Sequence, residues 1–189
     1  MDPNAWIGPA IVAATIAALI NVLGWVVAGR RELNGDRRRR REREIDVQTA
    51  LKAEIEHYLD ALRLFDPDQT WDRVVSEMEA DSDHIPAIPS ERNDTVFTAL
   101  VDEIHILPEP VIQPVVRYYN QIFAIDAIIA DMRDAQFQRM TQPQRIAMYT
   151  DYIALKKEAL VQGLAAVTSL SDSLAGAVSS PGAARSGRR

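Results

Sequence analysis

Two pairs of residues have the spacing of metal ligands on a helix. Glu54 is followed three residues later by His57, and Asp102 three residues later by His105. Di-iron carboxylate bundles draw a Glu-x-x-His pair from each of two helices and a carboxylate from each of two others, all pointing inward. Glu77 and Glu158 are the acids available to complete such a set. The helical wheel argues against it. At 100° per residue, Glu54 lies about 55° and His57 about 115° from the centre of the apolar stripe on their own segment. Asp102 lies more than about 100° from the stripe of its segment. Glu54, His57 and His105 are therefore weak metal candidates, and the expectation is no metal, no cofactor and no catalytic set. His84 stands in a proline-bounded stretch, DSDHIPAIP over residues 81–89, and reads as a loop residue.

Other reactive patterns are missing from the sequence. It has no cysteine, so thiolate zinc sites, disulfides and cysteine nucleophiles are excluded. It has no glycine-rich phosphate loop, no H-E-x-x-H and no G-x-S-x-G. Tyr118 and Tyr119 could suggest a stacking surface, but at helical spacing one tyrosine reads as core and the other as rim, its hydroxyl reaching water.

The elements that would position these residues are read from hydropathy. No charged side chain occurs between Asp2 and Arg30. The central part, Trp6 to Ala28, is 23 residues long, which as a helix spans about 34 Å, enough for a hydrocarbon core of roughly 30 Å. Pro9 falls in the first turn, and Trp6 and Trp25 mark the two ends as interfacial aromatics do. The residues before the run hold no Lys or Arg, unlike the basic start of a cleaved signal peptide. The expectation is a transmembrane helix over 6–28, preceded by a short extracytoplasmic N-terminus, residues 1–5.

An Arg-rich segment, residues 29–44, follows. Arg30, Arg31, Arg37, Arg38, Arg39, Arg40, Arg41 and Arg43 stand on one side of the run, against Asp2 alone on the other. Positive residues stay cytoplasmic, so the chain is expected in the inner (plasma) membrane, single-pass, N-terminus out and the remainder inside. The same arginines can hold anionic lipid head groups. Residues 45–189 carry 13 basic and 22 acidic side chains, a balance that argues against nucleic-acid binding.

Within the run, Ala10, Ala14, Ala17, Asn21, Gly24 and Ala28 recur at alternating spacings of four and three. Small residues allow membrane helices to approach closely, and an asparagine can hydrogen-bond across the contact. A homo-oligomer through the span is the expectation.

The rest reads as helical, with no segment of sustained two-residue alternation. Val47, Leu51, Ile55, Tyr58, Leu62 and Phe65 form one helical face, and Asp66-Pro67 stops it. Thr70 is a candidate cap for a short helix carrying Trp71, Val74, Val75 and Met78, and Ser90 for a third helix. A fourth follows Pro108 and Pro110. Thr141 with Gln144 has the capping-box pattern for a long last helix with Ile146, Tyr149, Ile153, Leu160, Leu164, Val167, Leu170 and Leu174. Asn34-Gly35 is expected to separate the span from the first of these helices. The fold class is all-α: the span, then a four- to five-helix cytoplasmic domain over 45–178. A disordered basic tail, 179–189, is expected to end the chain.

The arrangement resembles a group of small bacterial single-pass membrane proteins of unknown function. The resemblance rests on the span, the arginine run, ALKAEI at residues 50–55, and VFTALVDEIHILPEPVIQPVVRYYNQI at residues 96–122. It implies a membrane anchor and a helical domain, and no activity. The layout is also similar to the membrane-anchored stator b subunit of ATP synthase, but prolines at 67, 86, 89, 108, 110 and 114 interrupt the long rod of that subunit. The functional expectation is a membrane-anchored interaction or scaffolding protein with a cytosolic protein partner. The alternatives are a membrane-bound metal-dependent enzyme and a small membrane-permeabilising protein.

Overall fold

A computed structural model describes residues 7–179, with side chains described from Gly35 onward except Val178. The expected span, its small-residue seam, Arg30 and Arg31 involve side chains outside that set, as do the first six residues and the tail beyond Ser179. Among the described residues no helix is long and apolar enough to cross a membrane.

The chain is all-helical. The elements among the described residues are α1 (Ile7–Phe65), α2 (Pro67–Ala80), α3 (Thr95–Leu100), a 3₁₀ turn (Val101–Ile106), α4 (Glu109–Arg133), α5 (Ala135–Arg139) and α6 (Gln142–Ser179). The chain divides into two units, Met1–Arg43 and Glu44–Arg189. Gly35 does not break α1, contrary to the expectation for Asn34-Gly35. Its position is helical and a Cβ there would meet nothing within 4 Å. A single glycine lowers helix propensity by only about 1 kcal/mol, which flanking helix formers can offset.

The core of the second unit follows the stripe read from sequence. Val47, Leu51, Ile55, Tyr58 and Leu62 are all buried, and Phe65 packs at the edge. The turn into α2 is sharper than expected. Asp66 takes the left-handed conformation (φ 46°), accepts from the Gln69 N–H at 3.2 Å and is followed by Pro67 at the helix start. Aspartate tolerates that conformation, and proline loses nothing at a first turn. Thr70, the expected cap, instead donates to the Phe65 carbonyl at 2.6 Å.

In α4, Pro114 lies within the helix and cannot donate to the Pro110 carbonyl one turn back. Ser169 of α6 supplies the missing donor, its Oγ 3.0 Å from that carbonyl. Gly163 of α6 faces α1 and α4 closely: a Cβ there would lie 2.6 Å from Leu59 Cδ2 and 3.1 Å from Tyr118 Cε2. The start of α6 bears out half of the capping box: the Gln144 side chain accepts from the Thr141 N–H at 2.9 Å, while the Thr141 hydroxyl donates to the same oxygen at 3.0 Å.

Candidate functional site

Between α2 and α3 the chain runs without regular structure from Asp81 to Asp94, apart from one turn. Ser90, the expected cap of the third helix, lies in this strap, and α3 starts at Thr95. No side chain next to α3 in sequence caps it. Glu54 does so from α1, accepting from the Val96 N–H at 2.6 Å and the Phe97 N–H at 3.0 Å. The same carboxylate accepts a hydrogen bond from the Tyr119 hydroxyl at 2.7 Å. These are the second and third N–H groups of α3, the donors that an N-cap side chain would otherwise satisfy. Phe97 stacks on Tyr119 with centroids 3.9 Å apart, so polar and apolar contacts fix the same junction.

One turn along α1, Tyr58 belongs to a second carboxylate centre. Glu91, on the strap, receives the Tyr58 hydroxyl at 2.9 Å, the Tyr152 hydroxyl at 3.3 Å and the Lys156 ammonium at 2.6 Å. The Lys156 side chain is 2% exposed. Its Nζ lies 4.7, 5.1 and 5.6 Å from the ring centroids of Phe65, Tyr152 and Tyr58. A desolvated ammonium gains from each aromatic face as well as from the anion. Burial lowers the Lys156 pKa, and the Glu91 carboxylate acts against that fall. Burial also pushes the hydroxyls of Tyr58, Tyr118, Tyr119 and Tyr152 well above the usual range for tyrosine, with Glu91 or Glu54 adding to the effect.

A cavity of about 380 Å³ adjoins this centre. Its walls include Phe65, Val74, Tyr149, Tyr152, Ile88 and Pro89, with Arg73, Glu77 and His84 at its polar side. Phe65 and Tyr152 thus face both the cavity and the Lys156 ammonium. On the other side of the strap, Glu91, Asp94 and Asp126 line a second hollow with Arg92 and Arg133. Burial, then Asp94 and Glu91, raise the Asp126 pKa.

The residues singled out by spacing do not come together. Glu54 is occupied by α3 and Tyr119. His57 is exposed, and His105, also exposed, contacts the Asp102 carbonyl through Nδ1 at 2.7 Å. No group of three potential metal ligands occurs among the described residues. The expected division of Tyr118 and Tyr119 into core and rim is corrected: both are fully buried, and Tyr119 satisfies its hydroxyl on Glu54 rather than in water.

Lys156 and Gly163 escaped the sequence reading, yet the signal was present. Ile146, Tyr149, Ile153, Leu160, Val167, Leu170 and Leu174 follow alternating steps of three and four only if 156 and 163 are included. The vacant places in the stripe mark a lysine and a glycine on the inner face. Leu164, assigned to that face from sequence, is 47% exposed. No family model, curated protein or solved structure matches the chain.

Proposed function

We propose that this chain is a membrane-anchored helical interaction protein. The carrying observation is the uncharged run from Pro3 to Gly29 with Asp2 before it and eight arginines within 15 residues after it. Length supports a span and the charge asymmetry supports an inward-facing C-terminal domain. In that domain, the polar groups drawn to the interior join one element to another. Glu54 joins α1 to α3 and α4, and Lys156 joins α6 to the strap. The Glu54 cross-link favours a fixed helical surface, and a cytosolic partner would dock on a groove or helix face of it.

The test has two arms in a bacterial host. After alkaline carbonate washing, the chain should remain with the membranes. A reporter active only outside the cytoplasm, fused after residue 180, should be silent. Release by carbonate sinks the anchor, and an active reporter sinks the orientation.

A further inference from the structure

The Glu91 centre has the composition of a ligand site whose ligand is supplied by the chain itself. Three donors from two rigid helices converge on one carboxylate: the Lys156 ammonium and the hydroxyls of Tyr58 and Tyr152. The carboxylate is carried by an irregular segment, anchored at its start where Arg145 donates to the Ser82 carbonyl. Among the described residues, no backbone–backbone hydrogen bond outside helices involves residues 85–93. Pro86 is buried and Ile88 packs partly on the core, whereas residues 90–94 (Ser-Glu-Arg-Asn-Asp) contribute no apolar side chain. Segments with few buried apolar contacts and no backbone ladder open locally, at a free energy below that of global unfolding. The donors, by contrast, lie on α1 and α6 within the main core.

We propose that Lys156, Tyr58 and Tyr152 form a binding site for a small organic acid, that Glu91 occupies it from within, and that residues 90–94, the polar end of the strap, are an autoinhibitory lid, while residues 84–89 stay in place as cavity wall. The carboxylate of the ligand takes the place of the Glu91 carboxylate. Its apolar body enters the cavity of about 380 Å³ alongside, whose volume is in the range of small-molecule pockets and which shares Phe65 and Tyr152 with the ammonium cage. An apolar or aromatic carboxylic acid fits both halves. A cation with no carboxylate would meet Lys156 itself, and a neutral apolar molecule would leave the ammonium buried and unpaired, at high cost. The site lies within residues 58–156 and does not draw on the membrane anchor.

Internal competition gives the proposal its distinctive signature. A ligand that must wait for the lid binds with its intrinsic affinity reduced by the fraction of open molecules. Removing the charge of Glu91 should therefore strengthen binding, whereas a residue with only a structural role would weaken or not affect it. The probe is 3-phenylpropionate, with 3-phenylpropan-1-ol as its neutral counterpart, titrated calorimetrically into the full chain. Expected are saturable binding of the acid alone, a gain of tenfold or more in Glu91→Gln, and loss in Lys156→Met. Hydrogen exchange of wild type should show residues 90–93 exchanging faster with the acid bound while α4 and α6 stay protected. This last measurement needs no variant, so misfolding of Glu91→Gln does not shelter the proposal. Equal binding of the alcohol, weaker binding to Glu91→Gln, survival of binding in Lys156→Met, or an unchanged strap in saturated wild type would each overturn it.

Discussion

Glu54 and Glu91 are two interior carboxylates served by neighbouring turns of α1, and they do opposite jobs. Glu54 belongs to a long helix and reaches out to satisfy backbone N–H groups of another element, together with Tyr119. Glu91 belongs to an irregular strap and is itself held, by side chains of two helices. In the first case the rigid partner carries the charge and the weaker helix is organised by it. In the second the irregular partner carries the charge. A carboxylate held the first way cannot leave without dismantling its own helix; one held the second way can leave with its loop.

The broadest disruption of both centres is alkaline pH. The folded pKa values of Tyr58, Tyr118, Tyr119 and Tyr152 are raised, chiefly by burial, while the unfolded residues ionise near pH 10. Their protons are then held more tightly in the folded state, so the stability they contribute is complete below about pH 10 and is lost as pH rises beyond it. Lys156 acts in the opposite sense, since its lowered pKa makes stability rise with pH just below 10.5. Burial raises Tyr149 as well, so five groups outweigh one, and the chain should unfold in a single step at strongly alkaline pH. Tyrosinate absorbance should appear together with loss of helical circular dichroism; ionisation of all five tyrosines before unfolding would refute this.

Next in size is Glu54→Ala. Each buried donor left unpaired costs about 1–3 kcal/mol, and Glu54 serves three. The urea midpoint should fall for the whole domain, without a separate early transition. Lys156→Met should behave differently, although breaking a buried ion pair can cost about 3–5 kcal/mol. Here the loss is limited by release of the strap, so protease cleavage within residues 84–93 should accelerate much more than the midpoint falls. Adding Glu91→Gln to Lys156→Met should restore protection, since a neutral amide needs no ionic partner and its carbonyl still accepts from the Tyr58 and Tyr152 hydroxyls. Equal midpoint losses for Glu54→Ala and Lys156→Met, with no new cleavage, would erase the distinction between the two centres.

Smaller effects test the helices behind both. Gly163→Ala places a methyl group 2.6 Å from Leu59 Cδ2 and should destabilise by about 1–3 kcal/mol, although the same change in an open helix is favourable. Gly35→Ala, with nothing within 4 Å, is the control and should raise helicity. Smallest of all is Lys52→Ala, which removes a partly exposed one-turn ion pair with Glu56 and should change the midpoint by less than about 0.5 kcal/mol.

The legible part of this fold was its periodic part. The α1 stripe and the Thr141–Gln144 cap depend on residues within a turn or two of one another, and each was placed correctly. The start of α3 was misplaced because its cap lies about forty residues away on Glu54, a distance that no local pattern encodes. Glu91 could not be found for a similar reason, since its partners are spread from Tyr58 to Lys156. Even so, the interruption of the last apolar stripe by Lys156 is a sequence signal in its own right: a lysine at an inward position requires an anion.

The close fit of Gly163 against Leu59 also sets a schedule for biosynthesis. These two residues are about a hundred positions apart, so at ribosomal rates of about 5–20 residues per second the α1 stripe waits about 5–20 s for its partner helix to be made. During that interval Leu59 has no α6 to cover it, and nascent chains are at their most prone to aggregation or capture by chaperones.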